Sequence, residues 1–434
     1  MSIAPIYPKR NPQWGLLGPQ DVASERRTRT LGLASAVRRF NDLAVPGLGG
    51  VWFAKPLILS ALGVAVATRA GRSNIEVANS IEALACRLAL QSHGWKAEPR
   101  LRGREKLRGR DDLSYLAVHK PSFYVTQPMR QQTVQPLLVL GLVDSEHERF
   151  NSYQPSAAGR LVIISAFSDF RPGNKSVEDF LVDWVKGMQG SIRSQSLSEA
   201  LSPLNSLPLP CREALAELFI QGAHPNALRR RASLAWVDRL RLQRSETLTW
   251  DERPVEIGAS HWQDLRVGAQ FFRARDAALA VLDAVEQEIA PRSNRTLSLA
   301  QPIPSKIAST LESLRAAAHT FIAEHYDPTS NLEATNFCQE CIQEADAHLL
   351  SRLAFRDGRG LVQRGQFLMP GAAFRGLTQV ATPAAEDLPE LGAELGRQPL
   401  WPEAISYRLR NLFLLNVDLK GQLDDWLAPP EDRT

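Results

Sequence analysis

The residues with the most obvious chemistry in this 434-residue chain are two cysteines and two histidines in its last third. Cys338 and Cys341 form a CxxC pair, with His325 before it and His348 after it. Thiolates and imidazoles are common zinc ligands. The CQEC segment, however, falls in a helical pattern, where residues three apart share a face and small cysteines pack well in a core. The pattern therefore favours buried thiols over a metal site, and we predict no metal or other cofactor.

Two further groups have the residue types of nucleases. Arg315 and His319 lie one turn apart on a predicted helix and resemble the Arg/His ribonuclease pair of HEPN-type domains, which leave more residues between the two than the three found here. A cluster of four acids could hold a metal ion, but no strand-borne lysine accompanies it, so solvated loop acids are the safer interpretation. The chain has no GxSxG or GK[ST] motif. We therefore predict no catalytic residue, and a metal-dependent nuclease is the least favoured hypothesis. The four acids are Asp251, Glu252, Glu256 and Asp264.

A basic ladder in the segment LRGREKLRGR indicates a different chemistry, the neutralisation of phosphate. Its cations occupy every second position, so a strand would present all six on one face. Gly103 and Gly109 argue against a helix. Cations on such a ribbon could follow a phosphate backbone and release its condensed counterions. A solvated loop or edge strand is the alternative. The ladder consists of Arg100, Arg102, Arg104, Lys106, Arg108 and Arg110.

The following segment, QPMRQQTVQPLLVLGLVD, predicts a helix whose polar half could read bases. Thr126 and Pro128 suit the helix start, whereas Pro136 would kink the helix or move its start later. Arg and Gln pair bidentately with guanine and adenine edges in the major groove. We expect a further cation, Arg149, to hold phosphate together with the ladder. The residues expected at base edges are Arg130, Gln131, Gln132 and Gln135.

The segment SYQPSAAGRLVI resembles the closing part of MarR- and PadR-like winged-helix domains. In those families a wing strand leads through a tyrosine into a Ser- or Thr-capped helix that contains a glycine, matched here by Tyr153, Ser156 and Gly159. The preceding LGLVDSEHERF resembles the step from recognition helix to wing. Pro155 stands where those families usually carry Leu, and the wing is very short. The resemblance covers roughly residues 111–167. It implies a winged helix-turn-helix unit, which binds DNA or docks a protein.

The charge of the chain is divided unevenly along its length. The net charge of +4 combines 20 Lys and Arg against 9 Asp and Glu in residues 1–130 with 31 against 38 in the remainder. This split indicates that the front binds an anionic partner while the back has another role. Hydrophobic residues at 44% and charged residues at 23% are typical of a globular protein and exclude a disordered chain.

Cysteine usage and hydropathy indicate the compartment. Four cysteines provide no disulfide framework for a chain of this length, which favours a reducing environment. The most apolar run, residues 56–68, is well short of the roughly 20 residues that span a bilayer, so it predicts a buried helix. We therefore expect a cytoplasmic protein with no membrane contact.

The predicted fold is mostly α, a helical bundle with a winged helix-turn-helix unit followed by a helical C-terminal region. Segments rich in Ser, Pro or acids, near residues 194–210, 291–304 and 382–403, indicate breaks between units. The predicted units are a basic helical N-terminal region at 1–99, a basic arm with the winged helix at 100–190, a helical domain at 211–290 and a C-terminal helical domain at 305–427.

Two functional hypotheses lead. In the first, the chain is a non-catalytic DNA-binding protein whose basic N-terminal half grips duplex DNA, and whose acidic C-terminal half binds a protein partner or self-associates. In the second, the chain is a scaffold subunit of a multi-protein bacterial system, such as phage defence or chromosome structuring, and the winged helix docks protein. DNA affinity of the isolated chain discriminates between them.

Overall fold

The fold is built almost entirely from helices. Within the residues that the structure describes, the chain forms seventeen α-helices and five short strands, so the predicted mostly α class is confirmed. The computed structural model describes residues 29–189, 192–222, 224–243, 248–374 and 399–428. The strands are β1 (Val143–Asp144), β2 (Gln154–Pro155), β3 (Leu297–Ser298), β4 (Leu361–Arg364) and β5 (Phe367–Pro370). They form an antiparallel hairpin, β1-β2, and an antiparallel sheet in the order β3-β5-β4.

A first hydrophobic core surrounds α2 (Lys55–Ala70). Every residue of this helix from Lys55 to Ala67 is buried, because four later helices pack around it: α3 (Asn74–Ser92), α6 (Arg130–Val139), α7 (Ala157–Phe167) and α8 (Val177–Val185). This confirms the buried helix that the apolar run predicted. Neither α2 nor any other helix in the described ranges is long and apolar enough to cross a membrane. The other helices that follow α2 in this part of the chain are α4 (Arg104–Leu107), α5 (Tyr115–Val118), α9 (Gln195–Leu201), α10 (Leu209–Ile220) and α11 (Pro225–Leu242).

The end of the chain completes this first core. Helix α16 (Tyr407–Leu419) packs against α10 and α11, and α17 (Leu423–Leu427) follows it. The Asp418 carboxylate accepts a hydrogen bond from the Ala54 backbone N–H at 2.7 Å, which caps the start of α2. Burial raises the pKa of Asp418 and lowers the pKa of the neighbouring Lys55 to about 8.

A second hydrophobic core is formed mainly by later helices and the three-stranded sheet. Its largest element is α12 (Ala259–Ile289), which packs extensively against α13 (Ser305–Ile322). Helices α14 (Glu333–Gln343) and α15 (Asp346–Asp357) and the sheet β3-β5-β4 close around them. Helix α1 (Ala34–Ala44) also belongs here, since Phe40 contacts the rings of Phe271, Phe272 and Phe321.

The long helix α12 passes from one core to the other. Its residues Trp262 and Leu265 lie in the first core, and its residues from Val267 onward lie in the second. At the crossing point the buried Asp264 accepts hydrogen bonds from Arg229 of α11 at 2.6 Å and from the Tyr326 hydroxyl at 2.8 Å. One carboxylate thus joins a first-core helix, α12 and the segment after α13.

The two cores do not follow the order of the chain. The predicted ranges 1–99 and 305–427 are each divided between them: α1 packs mainly with α12 in the second core, and α16 packs in the first. The predicted 211–290 range is divided within α12 itself. The predicted break at 194–210 contains α9, a helix with buried residues, and the one at 291–304 contains β3. Residues 382–398 of the third predicted break lie outside the described residues. Composition does not tell which helices share a core, because that depends on contacts hundreds of residues apart.

We predict that His261 makes the fold sensitive to acid. Its Nε2 lies 2.8 Å from the Ala44 carbonyl, and burial lowers the pKa of His261 from 6.5 to about 4. Between these values the unfolded chain binds the proton and the folded chain does not, so the free energy of unfolding falls as the pH drops from 6.5 to 4. The loss from this group is about 3 kcal/mol. It is measured by urea unfolding at both ends of this window.

Two glutamine variants test the assignment, one at His261 and one at a control histidine. His261→Gln removes this part of the acid sensitivity, whereas His319→Gln, at an exposed histidine of α13, retains it. Equal pH dependence of the wild type and the His261→Gln variant would contradict the assignment. The comparison is made within each protein across pH, so a uniform change of stability in either variant does not affect the result.

Candidate nucleic-acid interface and an adjoining cleft

The hairpin between α6 and α7 is fastened by the residues that carry the winged-helix resemblance. The Ser156 hydroxyl accepts from the Gly159 N–H at 2.9 Å and donates to the Gly141 carbonyl at 2.6 Å. The Tyr153 hydroxyl donates to the Val134 carbonyl of α6 at 2.9 Å. A Cβ at position 159 would lie 2.0 Å from the Leu142 carbonyl oxygen, which explains the glycine. These bonds hold the hairpin against both flanking helices.

Helix α6 begins later than its sequence predicts, and a distant acid supplies its cap. The predicted cap at Thr126 is wrong: α6 starts at Arg130 and has no local side-chain cap. Instead the Glu82 carboxylate of α3 accepts the backbone N–H groups of Met129 at 2.7 Å and Arg130 at 2.8 Å. It also accepts the Tyr124 hydroxyl at 3.0 Å. Burial raises the pKa of Glu82, and these three hydrogen bonds oppose that shift by stabilising the carboxylate.

Arg130 was expected at a base edge, and the structure places it in the protein instead. Its side chain is buried, with Nε donating to Asn79 Oδ1 at 2.7 Å. Its guanidinium lies over the Phe150 ring at 4.7 Å from the centroid. A guanidinium with these partners cannot also reach into a major groove without leaving its site. Arg130 therefore joins α3, α6 and the hairpin.

The three glutamines of α6 form one wall of a cleft. Gln131 is exposed and donates to the Thr126 carbonyl at 3.2 Å, Gln132 is half-buried, and the exposed Gln135 approaches Asp42 of α1 at 3.5 Å. The turn before α2 packs against the same face, since a Cβ at Gly49 would lie 2.6 Å from the Gln132 carbonyl oxygen. The sequence predicted an open face for a groove, whereas these amides face a cavity of ≈ 890 Å³.

The basic ladder is not a ribbon with one charged face. The backbone turns at Gly103 and Gly109, both with positive φ, and four residues between them form α4. Arg100 is buried, with Glu98 at 2.9 Å and Asp424 at 2.6 Å, and Arg102 is buried near Glu82. The period-two pattern was therefore misleading, because helix geometry and burial divide the six cations between interior and surface.

The exposed remainder of the ladder forms a basic patch, defined here as Lys106, Arg108 and Arg110. The Arg110 guanidinium lies 5.7 Å from the Phe123 ring centroid, and that of Arg108 lies 5.8 Å from the Trp95 ring centroid. Within the described ranges no carboxylate pairs with these three cations. Arg104, half-exposed beside them, pairs with Glu105 at 3.0 Å. The patch is thus a set of three positive charges facing solvent, with the exposed acids Glu105, Asp111 and Asp112 adjoining it in the chain.

Arg149 lies apart from this patch at the hairpin tip. It is exposed, and its neighbours Glu146 and Glu148 are exposed acids. Two negative charges beside one positive charge make the tip a poor phosphate contact. The expected role of Arg149 at phosphate is not supported by its surroundings.

The candidate zinc ligands are separated by burial. Cys338 and Cys341 lie inside the second core, as the helical pattern predicted, and burial raises the pKa of both thiols, that of Cys341 to about 12. His325 and His348 are exposed. In the part of the chain that the structure describes, no three His, Cys, Asp or Glu side chains are grouped to hold a metal ion.

The candidate nuclease groups are also held by partners or separated. Glu256 pairs with Arg239 at 2.8 Å, and Asp264 accepts the hydrogen bonds at the junction of the two cores described above. Asp251 and Glu252 are exposed. Arg315 contacts the Glu344 carbonyl at 2.9 Å and Asp346 at 2.8 Å, which joins α13 to the start of α15. His319 is exposed. Their arrangement gives no two-carboxylate or Arg/His site.

Comparison with known proteins adds no relative: no family model matches the chain, and no curated protein or solved structure shows significant similarity. The functional argument therefore depends on the placed side chains alone. Sequence reasoning did not identify two of the side chains that shape this region, Glu82 and Arg408. Glu82 carries a visible signal, an acid inside the apolar text IEALACRLAL, but Arg408, which lines the cleft, has none beyond its position in an apolar helix.

We predict that Gly159→Ala strongly destabilises the protein. The added methyl would collide with the backbone of Leu142, which cannot rotate away as a side chain can. We expect a loss of about 2 kcal/mol or more in the free energy of unfolding, measured by urea denaturation. Gly258→Ala is the matched control, since its Cβ would meet open space at an allowed φ. Because Gly258 is the N-cap of α12, where Ala is less favourable than Gly, the control should lose no more than about 1 kcal/mol. Similar losses in both variants would show that the close approach is absent.

Proposed function

We propose that this chain is a non-catalytic nucleic-acid-binding protein that grips duplex DNA with the basic patch. The observation that carries the proposal is the set of three exposed cations without carboxylate partners in the described ranges, two of them lying over aromatic rings. Each cation placed on a phosphate releases condensed counterions, which is the main source of affinity for DNA in general. A guanidinium held over a ring also loses less side-chain freedom when it binds.

A second layer supports the patch from behind. Arg87 of α3 donates to the Arg110 carbonyl at 2.9 Å, and its guanidinium lies 5.0 Å from the Trp95 ring centroid. Lys106 reaches the Tyr124 carbonyl at 3.5 Å, and its own carbonyl accepts from Arg110. The turn that carries the patch is therefore ordered before any ligand arrives. Preorganised contacts of this kind reduce the entropic cost of binding.

The proposal includes a winged helix-turn-helix unit made of α5, α6, the β1-β2 hairpin and α7. The order of these elements and the Ser156 cap on α7 support it. It assigns affinity to phosphate contacts and little sequence reading to α6, since Arg130 is buried. The excess of acids beyond residue 130 suits the proposed role of the C-terminal half in binding a protein partner or a second copy. A cytoplasmic location belongs to the same proposal, since all four cysteines are free and buried.

The second candidate function is protein docking by the same unit. Leu161 and Ile164, three residues apart on the outer face of α7, are 68% and 62% exposed. Large apolar side chains on one helix face are typical of a surface that contacts protein. In this scaffold function the isolated chain has little affinity for DNA.

We predict that the triple variant Lys106→Ala, Arg108→Ala, Arg110→Ala loses most of its DNA affinity. Fluorescence anisotropy with a labelled duplex across a salt series measures this directly. Each lost phosphate contact reduces the slope of log K against log salt by about 0.9, so the slope should fall by up to about 3. The effect should be the same for unrelated duplex sequences, because phosphate contacts carry no sequence information.

The matched control replaces three exposed arginines in and beside α15 and β4 with alanine. They are Arg352, Arg359 and Arg364. This variant has the same net charge as the patch variant, so a general electrostatic effect would appear in both. Equal weakening in the two variants would contradict the patch as the site. Absence of DNA binding by the unmodified chain at low salt would reject the DNA proposal and favour protein docking.

A further inference from the structure

The cleft beside α6 has the size and position of a small-molecule site. Its ≈ 890 Å³ lies in the range of ligand pockets. Its walls come from α1, α6, α12 and α16, so it lies where elements of both cores meet. Clefts between such units are common ligand sites. The proposed DNA-binding function does not require this cavity.

Positive charge prevails on one part of the lining. Arg38 of α1 is exposed and has no ion pair within the described ranges. Arg408 of α16 is 5% exposed; one of its nitrogens contacts Asp42 and the Val45 carbonyl, while its Nε has no hydrogen-bond acceptor. A buried guanidinium N–H without an acceptor is costly. Arg275 of α12, half-buried, adds a third cation to the lining and pairs with Asp276 at 2.7 Å. Two acids, Asp42 and Glu148, also line the cleft.

The remaining lining is suited to a ring with polar edges. The amides of Gln131, Gln132 and Gln135 provide donors and acceptors along α6. Apolar side chains of Val37, Leu138 and Leu279 lie between the polar groups. Amides beside apolar contacts recognise a heterocycle, and arginines recognise phosphate.

We propose that the cleft binds a nucleoside phosphate, with the base and sugar along α6 and the phosphate at Arg38, Arg275 and Arg408. Arg275 and Tyr407 also line a second cavity of ≈ 590 Å³, in which Arg273 pairs with Glu403 at 2.8 Å and Asp276 adds a second carboxylate. Because both cores contribute contacts, a bound ligand also stabilises their packing.

The test is isothermal titration calorimetry of the full chain with three probes, ADP, adenosine and pyrophosphate, in the absence of DNA. We expect ADP to bind, and adenosine and pyrophosphate each to bind at least tenfold more weakly, since each presents only half of the recognised groups. No ADP binding at about 1 mM, a concentration that detects weak sites, overturns the proposal. Pyrophosphate binding as tightly as ADP also overturns it, because the site would then recognise the anion alone.

Two neighbouring arginines on α1 provide a matched pair of variants. Arg38→Ala should weaken ADP binding at least tenfold. Arg39→Ala should leave it within twofold, because Arg39 does not line this cleft and donates instead to the Pro328 carbonyl. Equal affinity of the two variants for ADP overturns the placement of the phosphate. Both residues are exposed, so loss of folding does not confuse the comparison.

The proposals of a nucleoside-phosphate site and of a DNA site can be refuted independently of each other. The triple variant of the basic patch should retain ADP binding, and Arg38→Ala should retain DNA binding. If duplex DNA displaces ADP from the unmodified chain, the cleft is part of the nucleic-acid surface and the proposal of a separate small-molecule site is overturned. ADP binding without any DNA binding would leave this proposal standing and remove the other.

Discussion

The buried carboxylate of Asp264 is the constraint on which the arrangement of the two cores depends. A carboxylate without water is costly unless donors surround it, and here the donors are Arg229 of the first-core helix α11 and Tyr326, which follows the second-core helix α13. Satisfying one group requires both cores to be in place. Since α12 carries Asp264 and runs through both cores, the angle between them is set by a helix and not by a linker. The walls of the cleft belong to α1, α6, α12 and α16, so the same contacts fix their relative positions.

Two other buried acids apply the same physics at smaller scale. Glu82 caps α6 from α3, and Asp418 caps α2 from α16, each receiving backbone N–H groups that the helix start leaves unpaired. Burial raises the pKa of both, a sign that desolvation opposes the charge that the caps require. Such acids add less to stability than their bonds suggest, but they determine which helix start lies against which partner. Apolar packing alone does not select among such arrangements as sharply.

Local patterns predicted the elements that local interactions control. The buried helix at 56–68 was evident from its own apolar run, and the Ser156 start of α7 from the short segment that resembles winged-helix domains. The ladder failed because Arg100 is held by Asp424, 324 residues away, and no periodicity reveals such a partner. The start of α6 failed for the same reason. Of the expected DNA contacts, the sequence could name the basic segment but not which half of it reaches solvent.

The geometry of α3 explains why one helix can serve two different surfaces. Glu82 holds α6, and Arg87 supports the basic patch five residues later, which is roughly 8 Å along the axis and about 140° around it. The patch and the polar face of α6 therefore lie on different sides of α3. A duplex resting on the patch does not need to enter the cleft, and a small molecule in the cleft does not need to displace a duplex. Both surfaces nevertheless share one support, because Glu82 and Arg87 belong to the same helix.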